Sequence, residues 1–193
     1  MEFMLDTINI PKIRQLTNIY PISGVTTNPS IIKNEGKVDF YEHLSSIRSE
    51  FPQLSLHIQV AGVSKVEIIK DAQTIGEHFG KDVHIKIPIS IEGLAAIKQL
   101  KNEGFLITGT AIISEFQGYL AIEAGVDYLA PYFNRMENNS VNSASIISNL
   151  ASYIKATGSN SKVLAASFKN MFQVNQAIRA GTHAVTLTPR FII

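Results

Sequence analysis

One lysine stands in an otherwise apolar run, Val83-His84-Ile85-Lys86-Ile87-Pro88-Ile89. Removing an amine from water disfavours its charged form, and a neutral amine can attack a carbonyl carbon. A lysine there can also be chemically idle, its stem along the strand and its head lifted to water or a carboxylate, so position alone does not decide. Its company weighs more. Asp6, Thr26, Thr27, Asn28, Gln59, Thr110, Tyr132, Asn134, Arg135 and Ser167 each stand at or just past the end of an apolar run. Any one of them is what a strand leaving a core shows. Together they would set carboxyl, amide, hydroxyl, phenol and guanidinium groups around a single amine. Other chemistries lack their residues. There is no cysteine, and the five histidines, His43, His57, His78, His84 and His183, are scattered without ligand spacing, so no metal site is expected. Neither a Gly-x-Ser-x-Gly elbow nor a P-loop occurs. Amine chemistry on a carbonyl is the reaction type the residues fit best. Lys169, just past Ser167, is the rival amine, and its place in a loop assigns it to solvent or to contact with a phosphate.

The elements that must position these groups can be read from periodicity. Short runs rich in β-branched residues predict strands over 3–6, 24–27, 54–60, 83–88, 106–110, 127–131, 162–167 and 183–187. Segments of helical period predict helices over 10–19, 41–50, 64–79, 91–103, 115–123, 144–155 and 172–180. Three of these helices run into Gly104, Gly125 and Gly181, the residue a left-handed cap prefers, and pass directly into a strand as a parallel sheet requires. The alternation predicts an α/β fold, a (β/α)₈ TIM barrel, over an open doubly wound sheet, because no glycine fingerprint follows the first strand. Active sites of such barrels lie at the C-terminal ends of the strands, where the polar set falls. The barrel interior is expected to hold layered aliphatics. His84 should point the same way as Lys86 by alternation, as a hydrogen-bonded core histidine. Residues 136–143, with Asn138, Asn139, Ser140, Asn142 and Ser143, read as a polar loop.

Composition narrows the class. The chain has 193 residues, 45% hydrophobic and 17% charged, which suits one globular domain over 1–193. A net charge of +1 without blocks of like charge disfavours nucleic acid or a membrane surface as partner and leaves small anions open. Asp6 and Glu2 stand where a signal peptide would be basic, and no apolar run reaches membrane-spanning length, so a cytoplasmic location is expected. Past the eighth strand only Thr188-Pro189-Arg190-Phe191-Ile192-Ile193 remains, so the expected barrel lacks its final helix. We therefore expect a truncated C-terminus, or a neighbouring subunit over the gap.

Four stretches carry a resemblance: 24–30 (Gly-Val-Thr-Thr-Asn-Pro-Ser), 83–88 followed by Glu92-Gly93-Leu94, 130–135 (Ala-Pro-Tyr-Phe-Asn-Arg) and 163–167 (Val-Leu-Ala-Ala-Ser). In this order and spacing the chain resembles the transaldolase family, in particular its short-chain branch, which includes fructose-6-phosphate aldolase. The resemblance implies a (β/α)₈ barrel whose fourth-strand lysine, here Lys86, forms a Schiff base with a dihydroxyacetone unit, without metal or organic cofactor. It implies that Asp6 and Asn28 hold hydroxyls of the intermediate, with Thr26 or Thr27 shaping the pocket. Gln59 and Thr110 would position a water beside the imine, and Arg135 and Ser167 would bind the phosphate of a sugar phosphate, with Asn134 among the substrate-binding residues.

Gln59 and Tyr132 are similar to the family's aldolases, where its transaldolases have glutamate and phenylalanine, and a tyrosine there can move the proton that enamine release needs. The implied function is a class I aldolase joining dihydroxyacetone and glyceraldehyde 3-phosphate into fructose 6-phosphate, or cleaving it. The alternatives are a transaldolase of the pentose phosphate pathway and an inactive truncated barrel. The resemblance also implies a homo-oligomer, a pentamer or decamer. His84 departs from the family's aliphatic residue, and a protonated imidazole there would press the neighbouring amine toward its neutral form.

Overall fold

Eight parallel strands close into a barrel in chain order: β1 (Glu2–Asp6), β2 (Ile22–Thr26), β3 (Ser55–Gln59), β4 (His84–Pro88), β5 (Leu106–Ile112), β6 (Tyr128–Pro131), β7 (Lys162–Ala165) and β8 (Ala184–Leu187). The computed structural model describes residues 1–34, 36 and 39–192. The predicted barrel is therefore observed, with all eight strands within a few residues of their expected bounds. The helices are α1 (Ile10–Thr17), α2 (Pro29–Asn34), α3 (Phe40–Glu50), α4 (Lys65–Phe79), α5 (Ile91–Asn102), α6 (Glu115–Glu123), α7 (Phe133–Asn138), α8 (Ser143–Thr157) and α9 (Met171–Arg179). The starts of α1, α3, α4, α5, α6, α8 and α9 are fixed by side-chain caps, from Asn9, Asp39, Ser64, Ser90, Ser114, Asn142 and Asn170 respectively. Each such cap contributes about 1 kcal/mol. Gly104, Gly125 and Gly181 all have positive φ, at 81°, 75° and 90°, as the expected helix ends require.

Two short helices were not expected. Asn28 Oδ1 accepts the Ile31 backbone N–H at 3.0 Å and Pro29 follows it, a cap and first-turn proline that open α2 directly after β2. In α7, Phe133 and Met136 recur at helical spacing and are buried. The stretch 136–143 is thus not one polar loop. Its first three residues complete α7, Asn142 caps α8, and Ser143 is buried, its hydroxyl donating to Phe133 O at 2.8 Å.

The expectation of aliphatic layers inside the barrel is overturned. The aliphatic side chains of the strands, among them Leu5, Val25, Ile58, Ile85, Ile87, Ile107, Leu129, Val163 and Val185, belong to the main core that the strands share with the helices. The alternate positions point inward, and they are mostly polar. Inside, Met4, Tyr128, Leu164 and Ala184 form a small apolar cluster of their own. Around them most inner groups satisfy one another, but His84 departs from the expected hydrogen-bonded core histidine: its buried Nδ1 has no hydrogen-bond partner among the described residues. Tyr128 Oη donates to Glu2 at 2.7 Å, Lys162 pairs with Glu2 at 2.6 Å, and His57 lies 2.8 Å from Thr108 Oγ and 3.2 Å from Ser55 Oγ. The rings of His57 and His84 stack at 4.3 Å, nearly parallel at 7°, with Tyr128 edge-on to both at 5.1 Å. After β8 the chain makes a single 3₁₀ turn, Pro189–Phe191, and no further helix follows among the described residues. No described helix is long and apolar enough to cross a membrane.

Candidate active site

Lys86 sits in the middle of β4, in register with Gln59 of β3 and Thr108 of β5. Its side chain points into the barrel and is only 4% exposed, with Nζ donating to the Thr27 carbonyl at 2.9 Å. The end of β4 is set by α5. A Cβ built on Gly93 would overlap Pro88 O, so this glycine is what lets the helix press against the strand that carries the amine.

Above Lys86, at the C-terminal mouth of the barrel, opens a cavity of about 440 Å³. It is bordered by Lys86 and by six other predicted residues: Asp6, Asn28, Gln59, Tyr132, Arg135 and Ser167. Four predicted residues stand outside its wall. Thr26 and Thr27 are fully buried behind it: Thr26 Oγ donates to Asp6 Oδ1 at 2.7 Å, and Thr27 supplies the carbonyl that holds Lys86. Thr110, also fully buried, donates its hydroxyl hydrogen to Tyr132 Oη at 3.0 Å. Asn134 turns toward α9, its Oδ1 accepting from Gln173 Nε2 at 3.1 Å. Lys169 is exposed and does not border the cavity.

Each polar group at the wall has capacity left for a ligand. The Tyr132 oxygen already accepts from Thr110, so the phenol's own hydrogen is free to donate. Asn28 uses its Oδ1 on the start of α2, which leaves its amide hydrogens as donors. Gln59 Oε1 is buried and has no hydrogen-bond partner among the described residues. The Arg135 guanidinium lies 5.0 Å from the Tyr132 ring centroid, over its face. The backbone on both sides of Tyr132 is in the left-handed region at non-glycine residues, Ala111 at φ 57° and Ser167 at φ 63°. Such positions cost about 1–3 kcal/mol each and persist where surrounding structure fixes them. Here the fixing comes from Tyr132 N–H to Ile112 O at 2.9 Å and Asn134 N–H to Ser167 O at 3.0 Å.

Thr186 of β8 also borders the cavity and was missed in the sequence. Alternation from Ala184 would have pointed it inward, but it sits one residue before the end of a short strand. Below the site, burial pushes the His57 imidazole well below its usual range, with the neighbouring His84 and Lys86 adding to the effect. Burial likewise pushes His84 down, although Asp127 and Glu2 pull it partly back. Burial thus favours the neutral form of both histidines under the lysine, against the cationic imidazole considered for His84. Among the described residues no group of three or more His, Asp or Glu is placed to hold a metal ion.

An enclosed amine, a phenol with a free hydrogen, unsatisfied amide groups and a guanidinium at the rim can together form and break an imine on a small hydroxylated, anionic carbonyl compound. The family model described as Transaldolase/Fructose-6-phosphate aldolase matches residues 3–193. A protein of Streptococcus pneumoniae (strain ATCC 700669 / Spain 23F-1) described as a probable fructose-6-phosphate aldolase is 51% identical over 187 residues, a span of 96% of this chain and 84% of that protein.

Proposed function

The chain belongs to the transaldolase and fructose-6-phosphate aldolase family, and on that premise we propose that it is a class I aldolase in which Lys86 forms the imine. The observation that carries this reading is an amine 4% exposed, held by one carbonyl, at the floor of a polar cavity at the strand ends. Fructose 6-phosphate is the substrate, and dihydroxyacetone and glyceraldehyde 3-phosphate are the products of its cleavage. Lys86 Nζ attacks the C2 carbonyl, and loss of water gives the imine. The C3–C4 bond then breaks: the C4 hydroxyl gives up its proton, C4 leaves as the aldehyde, and the bonding electrons pass into an enamine on Lys86. Protonation at the former C3 and attack of water on the imine release dihydroxyacetone and restore the amine.

Tyr132 handles the proton in these steps, its oxygen held by Thr110 and its hydrogen directed to the reacting atoms. Asp6 and the Asn28 amide bind hydroxyls of the bound unit. Gln59 Oε1, without a partner among the described residues, holds the water that hydrolyses the imine. Arg135 takes the phosphate at the rim, where a planar guanidinium can donate two parallel hydrogen bonds, and Ser167 adds a hydroxyl. The protein acts in this reading as a cytoplasmic homo-oligomer.

The test is a coupled assay of fructose 6-phosphate cleavage with no acceptor aldehyde added. Release of both dihydroxyacetone and glyceraldehyde 3-phosphate, abolished by Lys86→Met, is expected. Turnover that begins only when an aldose phosphate acceptor is supplied would assign the chain to transfer, and none under either condition would refute the reading.

A further inference from the structure

Three side chains at the ends of β1, β2 and β8 form one connected line. Thr26 Oγ donates to Asp6 Oδ1 at 2.7 Å, and Thr26 Oγ and Thr186 Oγ lie 2.7 Å apart. A hydroxyl carries a single hydrogen. That of Thr26 is committed to Asp6, so in the second contact Thr186 is the donor and Thr26 the acceptor. The line therefore has a direction, from Thr186 through Thr26 to Asp6, and each hydrogen bond polarises the next. Thr26 is 0% and Thr186 4% exposed, so water does not substitute for either hydroxyl. Asp6 pairs with Thr26 across β1 and β2, and Met4 pairs with Thr186 across β1 and β8, so the three groups stand on adjoining strands rather than on loops.

We propose that Thr186 is a positioning residue of the reaction. By filling the acceptor side of Thr26 with its own hydrogen, it fixes the direction of the Thr26 hydrogen. That bond holds one oxygen of Asp6 and leaves the other for a ligand in the cavity that Asp6 and Thr186 both border. Without the Thr186 hydrogen, the Thr26 hydroxyl can rotate and donate elsewhere, and Asp6 loses its fixed orientation. The inference rests on the reading in which Asp6 binds a hydroxyl of the substrate.

The experiment is a double-mutant cycle in fructose 6-phosphate cleavage by the full chain, using Thr186→Val, Thr186→Ser, Asp6→Asn and the Asp6→Asn/Thr186→Val pair, with thermal melts to confirm folding. Valine keeps the shape and removes the donor. A loss of roughly 10–100-fold in kcat/KM is expected for it, the range that small displacements of a catalytic constellation produce. Serine restores the hydrogen and should stay within about threefold of the parent, well inside that range. In the double variant, valine should add nothing to the loss caused by Asp6→Asn, because its effect passes through Asp6. Wild-type kinetics in Thr186→Val, or a loss that multiplies onto that of Asp6→Asn, overturns the proposal while leaving the role of Asp6 intact. Wild-type kinetics in Asp6→Asn itself overturns the underlying reading and this inference with it. Should the valine variant not fold, Thr186→Ala takes its place in the same cycle.

Discussion

Replacing Lys86 by methionine should make the protein more stable while removing its activity. Methionine has nearly the length and volume of lysine, so the packing inside the barrel is kept. The native fold holds an amine that is 4% exposed and, among the described residues, makes one hydrogen bond, to Thr27 O. Enclosing such a group away from water costs several kcal/mol. The single bond to Thr27 returns about 1.5–3 kcal/mol of this. Methionine removes the cost and leaves the Thr27 carbonyl unpaired, a penalty of about 1 kcal/mol. The balance is a gain of about 1–2 kcal/mol, which in a domain of this size raises the melting temperature by about 2–8 °C. Thermal melts of the two proteins at equal concentration and pH 7.5 read the difference. A fall of several degrees in Lys86→Met would refute the reasoning. It would mean that the amine supports the barrel like any satisfied core group instead of being held there at the expense of stability.

Other outcomes follow from the layers around the lysine. Burial lowers the folded-state values of His57 and His84 below the unfolded value of about 6.5. The unfolded chain therefore binds more protons below that pH, so stability is complete above about pH 6.5 and falls as the pH drops from there toward 5; urea titrations across this window should show the decline, and a flat profile would contradict it. Gly93→Ala should cost about 1–3 kcal/mol and impair turnover, because the added carbon meets Pro88 O at the end of the strand that carries Lys86; a variant with unchanged melting and kinetics would show that α5 can retreat freely. Tyr132→Phe should lower turnover by about 10²–10⁴-fold while an adduct on Lys86 can still be captured over long incubation, and equal loss of both would remove the phenol from proton transfer.

The fold was legible because strand and helix periods alternate cleanly and the chain marks its own boundaries. Three glycines punctuate it at the expected helix ends, seven side-chain caps fix the helix starts, and most of the chemistry-bearing residues cluster at or just past the strand ends. What stayed hidden has physical reasons. The helix α2 was passed over even though Asn28-Pro29 is a cap followed by a first-turn proline, because six residues are too few for a periodic pattern. The helix α7 was obscured by the asparagines behind it, one of which caps α8. The inner face of the barrel was misjudged because hydropathy reports which residues are polar but not which polar groups meet: Glu2, Tyr128 and Lys162 are distant in the chain and mutually satisfied in space. The same limit applied to the site. Thr26, Thr27 and Thr110 were marked as site residues, yet only the coordinates place them behind Asp6, Lys86 and Tyr132. Thr186 went unnoticed because its meaning lies in a contact with a residue 160 positions away.

The central claim is that Lys86 forms a covalent imine with the substrate, and reduction captures it most directly. The protein is incubated with fructose 6-phosphate and sodium borohydride, then examined by intact mass and peptide mapping beside Lys86→Met. The account predicts a single stable adduct of dihydroxyacetone or hexose phosphate mass on the peptide containing Lys86, absent from the methionine variant. A folded wild-type protein that cleaves fructose 6-phosphate yet yields no adduct, or an adduct on Lys169 instead, would contradict it.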